Sequence, residues 1–81
     1  MKFYHVYIEM QDWYKSEFKR ITQDYFQNAR NAYLWCYEIA EECGNDCPSY
    51  ELFKYEMENY GVAQVGQFTI EEMKFKDEET P

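Results

Sequence analysis

The sequence predicts a small α+β domain, with an antiparallel sheet of about three strands and two helices on one face, in the order β-β-α-α-β. Three observations carry this. Residues 2–10 alternate between two sets of β-forming side chains. Ala32, Cys36, Ile39, Ala40 and Cys43 recur at helical spacing and end at Gly44. A second helical stretch lies between Ser49 and Gly61, and an extended pattern returns after it. The chain has 81 residues, enough for one domain and a modest core.

In the first element Tyr4, Val6, Ile8 and Met10 point one way, and Phe3, His5, Tyr7 and Glu9 the other. β-Branched and aromatic residues dominate, as a pleated strand favours. The second side is also fairly apolar, which suits a central or partly covered strand. Residues 11–26 read two ways. Tyr14, Phe18, Ile21 and Tyr25 recur at helical spacing, yet Ile21, Gln23 and Tyr25 alternate with Thr22, Asp24 and Phe26. A helix unbroken from residue 13 to residue 43 would be unusually long for so small a domain. A strand is therefore preferred, joined to the first by a turn near residues 12–16, with β-α-α-β as the alternative order.

Asn28 is placed to cap the first helix. Tyr33, Leu34, Trp35 and Tyr37 widen its apolar stripe. Gly44 can adopt the left-handed conformation that ends it, and Asn45, Asp46 and Pro48 supply turn chemistry. Ser49 can cap the second helix, with Leu52, Phe53, Met57 and Tyr60 along one side and Gly61 as its stop. Residues 62–75 read as extended, with Val65, Phe68 and Ile70 directed to the core. The alternation slips between Ile70 and Met73, which predicts a bulge or a short helical turn. Thr69 with Glu72 matches a capping box and keeps the helical option open. The expected core is Val6, Ile8, Ile21, Ala32, Cys36, Ile39, Leu52, Phe53 and Ile70. One domain over residues 1–76 and a charged tail over 77–81 complete the plan.

Composition narrows the function. Nine Tyr, six Phe and two Trp can each remove about 150–250 Å² from water when buried, which strengthens a small core. Tyr tips at the surface also equip a binding face. The net charge is −8, unsuited to direct contact with nucleic acid or an anionic membrane. No apolar run reaches the length of a membrane span. The charge is unevenly spread. Residues 1–37 hold five basic and four acidic side chains, whereas residues 38–81 hold three basic and twelve acidic ones. Such asymmetry points to an electrostatic partner.

Chemical motifs are sparse. Cys36, Cys43, Cys47 and His5 could together form a Cys₃His zinc site, but only Cys43 and Cys47 have ligand-like spacing. Cys36 lies on the apolar stripe, where a thiol packs as a small hydrophobe. Inert thiols, with no metal and no cofactor, are the expectation. An odd cysteine count without an apolar leader in residues 1–10 further predicts reduced thiols in the cytoplasm. His5 is the only histidine and would have to serve any Ser–His or Cys–His arrangement, with no orienting partner in view. Glu41 with Glu42, and Glu71 with Glu72, are carboxylate pairs without a fixed geometry. The three glycines form no phosphate-binding motif. The expected protein is not an enzyme.

The acidic residues are placed where helix electrostatics disfavours some of them. Glu38, Glu41 and Glu42 occupy the last turns of the first helix, followed by Asp46. The partial negative charge at a helix C-terminus disfavours each acid there by about 0.3–1 kcal/mol at low salt. The second helix adds Glu51, Glu56 and Glu58, partly balanced by Lys54. The expected binding set is Glu38, Glu41, Glu42, Asp46, Glu51, Glu56 and Glu58, with Tyr50 and Tyr55 as aromatic anchors. Its expected partner is a basic protein surface, such as the groove of a nucleic-acid-binding protein. In size, acidity and aromatic content the chain resembles small phage-encoded inhibitors of host or defence proteins, including anti-CRISPR proteins. That resemblance implies a non-enzymatic inhibitor acting in the host cytoplasm, and it assigns no role to any residue. The alternatives are a small metal-binding protein or a homodimeric module. The module would associate through a strand edge or through aromatic residues around Trp13, Tyr14, Trp35 and Tyr50.

Overall fold

The computed structural model describes residues 2–12, 14 and 17–74. In chain order the elements are β1 (Lys2–Asp12), β2 (Glu17–Phe26), α1 (Ala29–Glu42), α2 (Tyr50–Tyr60), β3 (Val62–Val65) and β4 (Phe68–Lys74). The strands form one four-stranded antiparallel sheet in the order β2-β1-β4-β3. The α+β class and the β-β-α-α succession match the sequence reading. The hairpin reading of residues 11–26 holds, and the helical alternative does not. The count of three strands is corrected to four. The extended segment after α2 folds back on itself at Gly66 and Gln67, so Val65 pairs with Phe68 across a two-residue turn.

Local chemistry ends each helix where the sequence indicated. The Asn28 side chain accepts hydrogen bonds from the Arg30 and Asn31 amides at 2.8 and 3.2 Å. At the other end of α1 the Gly44 amide donates to the Glu41 carbonyl, and the Asn45 amide to the Ala40 carbonyl. These two bonds satisfy carbonyls that the last turn leaves free, with Gly44 at φ 77°. The Ser49 hydroxyl caps α2 through the Leu52 amide at 3.2 Å. Gly61, at φ 71°, closes that helix through the Met57 carbonyl.

A single core cluster joins both helices to one face of the sheet. Val6, Ile70, Val65, Phe68 and Ala63 come from the strands, Ala32, Tyr33 and Cys36 from α1, and Phe53 and Met57 from α2. Tyr33 links the helices: its ring packs on Phe53 and Tyr50, and its hydroxyl donates to the Pro48 carbonyl at 2.8 Å. At the other end of α1, a Cβ placed on Gly66 would lie 2.4 Å from the Ala40 Cβ. The β3–β4 turn therefore sits directly beneath the helix, and only glycine fits there.

Four core expectations need correction. Ile21 is 43% exposed: it lies on the edge strand β2 opposite Ile8, outside the cluster that the helices build against the sheet. Leu52 is 50% exposed, because the buried stripe of α2 runs through Phe53 and Met57, one position away. Ile8 and Ile39 are half-buried and pack against the core rather than within it. The Thr69–Glu72 capping box is overridden: both residues lie in continuous strand, opposite Tyr7 and Tyr4 of β1. Among the described residues the register shift is instead in the β1–β2 ladder, between Val6 and Tyr7. The tail predicted over residues 77–81 and most of the turn near 12–16 lie outside the described residues.

Candidate partner-binding surface

The end of α1 presents Glu38, Glu41 and Glu42 to solvent, and Asp46 is exposed in the loop that follows. The last turn of α1 carries no basic residue. Glu41 lies one helical turn on from Tyr37 and raises the Tyr37 pKa, through side-chain hydrogen bonding first and then through its charge. The Cys47 thiol is pushed up by burial first, then by Glu41 and Asp46. Tyr33 is raised by burial, with Cys47 and Glu41 adding to it. Glu41 therefore acts on all three neighbours, and Asp46 on Cys47.

The structure divides the sequence-predicted set. Glu51 is exposed in the first turn of α2, where the helix dipole favours an acid. Glu56 is half-buried. Glu58 lies apart from the α1 end, around a cleft of about 370 Å³ that Lys2, Lys54 and Glu72 also line. Tyr50 borders that same cleft, with 39% of its surface exposed and its ring held by Tyr33 and Phe53. Tyr55 is 56% exposed. The ion pairs among the described residues are Lys2–Glu72, Arg20–Glu9 and Arg20–Glu71. None of them engages Glu38, Glu41, Glu42, Asp46, Glu51, Glu56 or Glu58.

The groups weighed for metal or catalytic chemistry are dispersed. Cys36 is buried, Cys43 is exposed and Cys47 is half-buried, all as free thiols. Among the described residues no three His, Cys, Asp or Glu side chains are grouped to hold a metal ion. His5 lies across the sheet from the cysteines, where its Nε2 meets the Thr22 hydroxyl at 2.9 Å and its ring stacks on Tyr25.

One surface was not assigned from the sequence. On the sheet face away from the helices, Phe3, Tyr25, His5 and Tyr7 form a continuous run of rings with centroids 4.8–5.8 Å apart. The Arg20 guanidinium lies 5.0 Å over the Tyr7 ring. Its signal in the sequence was the apolar second side of residues 2–10.

The molecule is thus a two-layer α+β domain with an acidic helical end and an aromatic open sheet face. Among the described residues no helix is long and apolar enough to cross a membrane. No protein-family model matches the chain, and no curated protein or solved structure shows significant similarity to it.

Proposed function

We propose that this is a non-enzymatic binding protein whose acidic helical end docks on a basic surface of another protein. The observation that carries the reading is the exposed acidic group at the end of α1, Glu38, Glu41 and Glu42 with Asp46 in the loop that follows, none in an ion pair among the described residues. Glu38, Glu41 and Glu42 project from the end of a capped helix, so their spacing is held by backbone. Such a fixed negative field steers a basic partner and speeds association. Tyr50 and Tyr55 add the short-range anchoring that charge alone lacks. A groove lined with Lys and Arg, shaped to take nucleic acid, is the partner surface that best suits this charge. Occupying it would block nucleic acid, as small phage-encoded inhibitors of this size and acidity do, and would place the action in the cytoplasm.

The test begins with capture of partners from a lysate of the source organism or its host on tagged protein, followed by binding kinetics on the purified partner. The Glu41→Lys, Glu42→Lys double variant should associate at least about tenfold more slowly. Wild-type affinity should fall steeply with salt, as the Debye length shrinks from about 10 Å at 0.1 M to about 3 Å at 1 M. The variant should fold at least as stably as wild type, since removing two acids from the helix end relieves about 0.3–1 kcal/mol each. Duplex DNA or RNA should compete for the partner. An unchanged on-rate with a flat salt response would assign the acidity to solubility alone.

A further inference from the structure

We infer that the open face of the sheet is a homodimer interface, on which two copies of this chain pack sheet against sheet. An antiparallel sheet with one covered face normally turns polar side chains outward on the other. This one does not. Phe3 stands opposite Met73, and His5 lies between Tyr25 on one neighbouring strand and Glu71 on the other. Tyr25 is 57% exposed and Val62 38%. The helices sit entirely on the far side, so Tyr25 and Val62 stay open to solvent, while Phe3, His5 and Met73 are part-covered by neighbouring side chains.

Charge selects the occupant. The chain carries −8, yet the charged side chains described on this face are Glu9, Glu71 and Arg20. Arg20 sits 3.8 Å from Glu9 and 3.7 Å from Glu71. The face is therefore nearly neutral and carries both signs. A two-fold axis can set each Arg20 near the acids of the other copy, as a self-complementary interface requires. Nucleic acid would find one cation already held between two carboxylates. The acidic helical end cannot meet its own copy without like-charge repulsion, which leaves the open face for self-association.

Size agrees with this occupant. Strands about 4.8 Å apart, rising about 3.3 Å per residue, give the face a projected area of roughly 500 Å². Two such faces together bury about 1,000 Å², the lower bound of a specific interface. Two such faces stack about 10 Å apart.

Sedimentation equilibrium or light scattering on the full chain tests this. Wild type should weigh twice its 10.0 kDa at concentrations of about 100 µM and above. Tyr25→Glu, which turns a new carboxylate toward its own copy, should weaken the dimer at least about tenfold. Tyr60→Glu makes the same charge change at a residue 68% exposed on the end of α2, and should leave the dimer unchanged. If Tyr25→Glu fails to fold by circular dichroism, Val62→Glu replaces it on the same face. A monomer up to about 1 mM, a dimer insensitive to the face variants, or equal weakening by Tyr60→Glu would each overturn the inference. Salt separates this from the acidic-end reading. Screening two chains of −8 should tighten the dimer, whereas it should loosen a basic partner. Either result can fail without the other.

Discussion

Val6 and Tyr7 are neighbours on β1, and both are shut away from water, at 0% and 2% exposure. They are buried by different means. Val6 pairs with Ile70 beneath the helices and belongs to the core that Ala32, Cys36 and Phe53 complete. Tyr7 points to the open face, where the Arg20 guanidinium covers its ring and the His5 ring leans against it at 4.9 Å. One face is buried by elements distant in sequence. The other is closed over by a few side chains of the sheet itself. Exposed ion pairs and cation–π contacts are each worth about 1 kcal/mol or less, so the second kind of burial is far easier to open. That asymmetry suits a stable scaffold on one side and an adaptable contact surface on the other.

The comparison can be broken hardest from the helix side. Phe53 is 1% exposed and contacts Tyr33 and Tyr50. Phe53→Ala should lower stability by about 3–5 kcal/mol through lost burial and the cavity left behind. Denaturant titration at neutral pH measures it, and a loss under about 1 kcal/mol would mean the two helices do not share one core.

The seam between α1 and the β3–β4 turn is the next test. Gly66 has φ 61°, and an added Cβ would overlap Ala40. Gly66→Ala should therefore cost about 2–4 kcal/mol, combining overpacking with left-handed backbone strain. Gly44→Ala is the control: its φ is 77° with nothing within 4 Å of the added carbon, so only the backbone share of about 1–2 kcal/mol should remain. Equal losses at the two glycines would show that α1 does not press on the turn.

The gentlest probe is alkaline pH, which reaches both faces together. Burial raises the pKa of Tyr33 under the helices and of Tyr7 on the open face, with Glu71 adding at Tyr7. The Cys36 thiol is pushed up to about 12, by burial first and then by Cys47. In each case the folded chain holds the neutral form more tightly than the unfolded chain does. Below the ordinary values of 9.0 for the thiol and 10.0 for the phenols, these groups add no pH slope. Above them the unfolded chain ionises first, so stability falls as the pH rises toward about 12. Urea midpoints from pH 8 to 11 should drop, with a shallower slope in Cys36→Ala. A profile flat to pH 11 would show that neither face keeps water from these groups.

What the sequence by itself determined is local. Asn28, Gly44, Ser49 and Gly61 could be read as helix ends because their hydrogen bonds close within a few residues. The alternation of β1, including its apolar second side, was legible for the same reason. The Gly66–Gln67 turn was not, because apolar positions continue across it at Val65, Phe68 and Ile70. Only pairing of β4 with β1 on one side and β3 on the other decides that the chain reverses there. The same pairing overrides the Thr69–Glu72 cap, since two ladders of backbone bonds outweigh one turn of helix. Tertiary structure also decided the fate of Ile21 and Leu52. Their apolar character is plain in the sequence, but a packed neighbour must arrive to cover them, and among the described residues none buries them. The acidic site follows the same rule. Glu38, Glu41 and Glu42 share one helix end and were read together, while Glu58 joined them only in sequence, because its place in space depends on how α2 packs against the sheet.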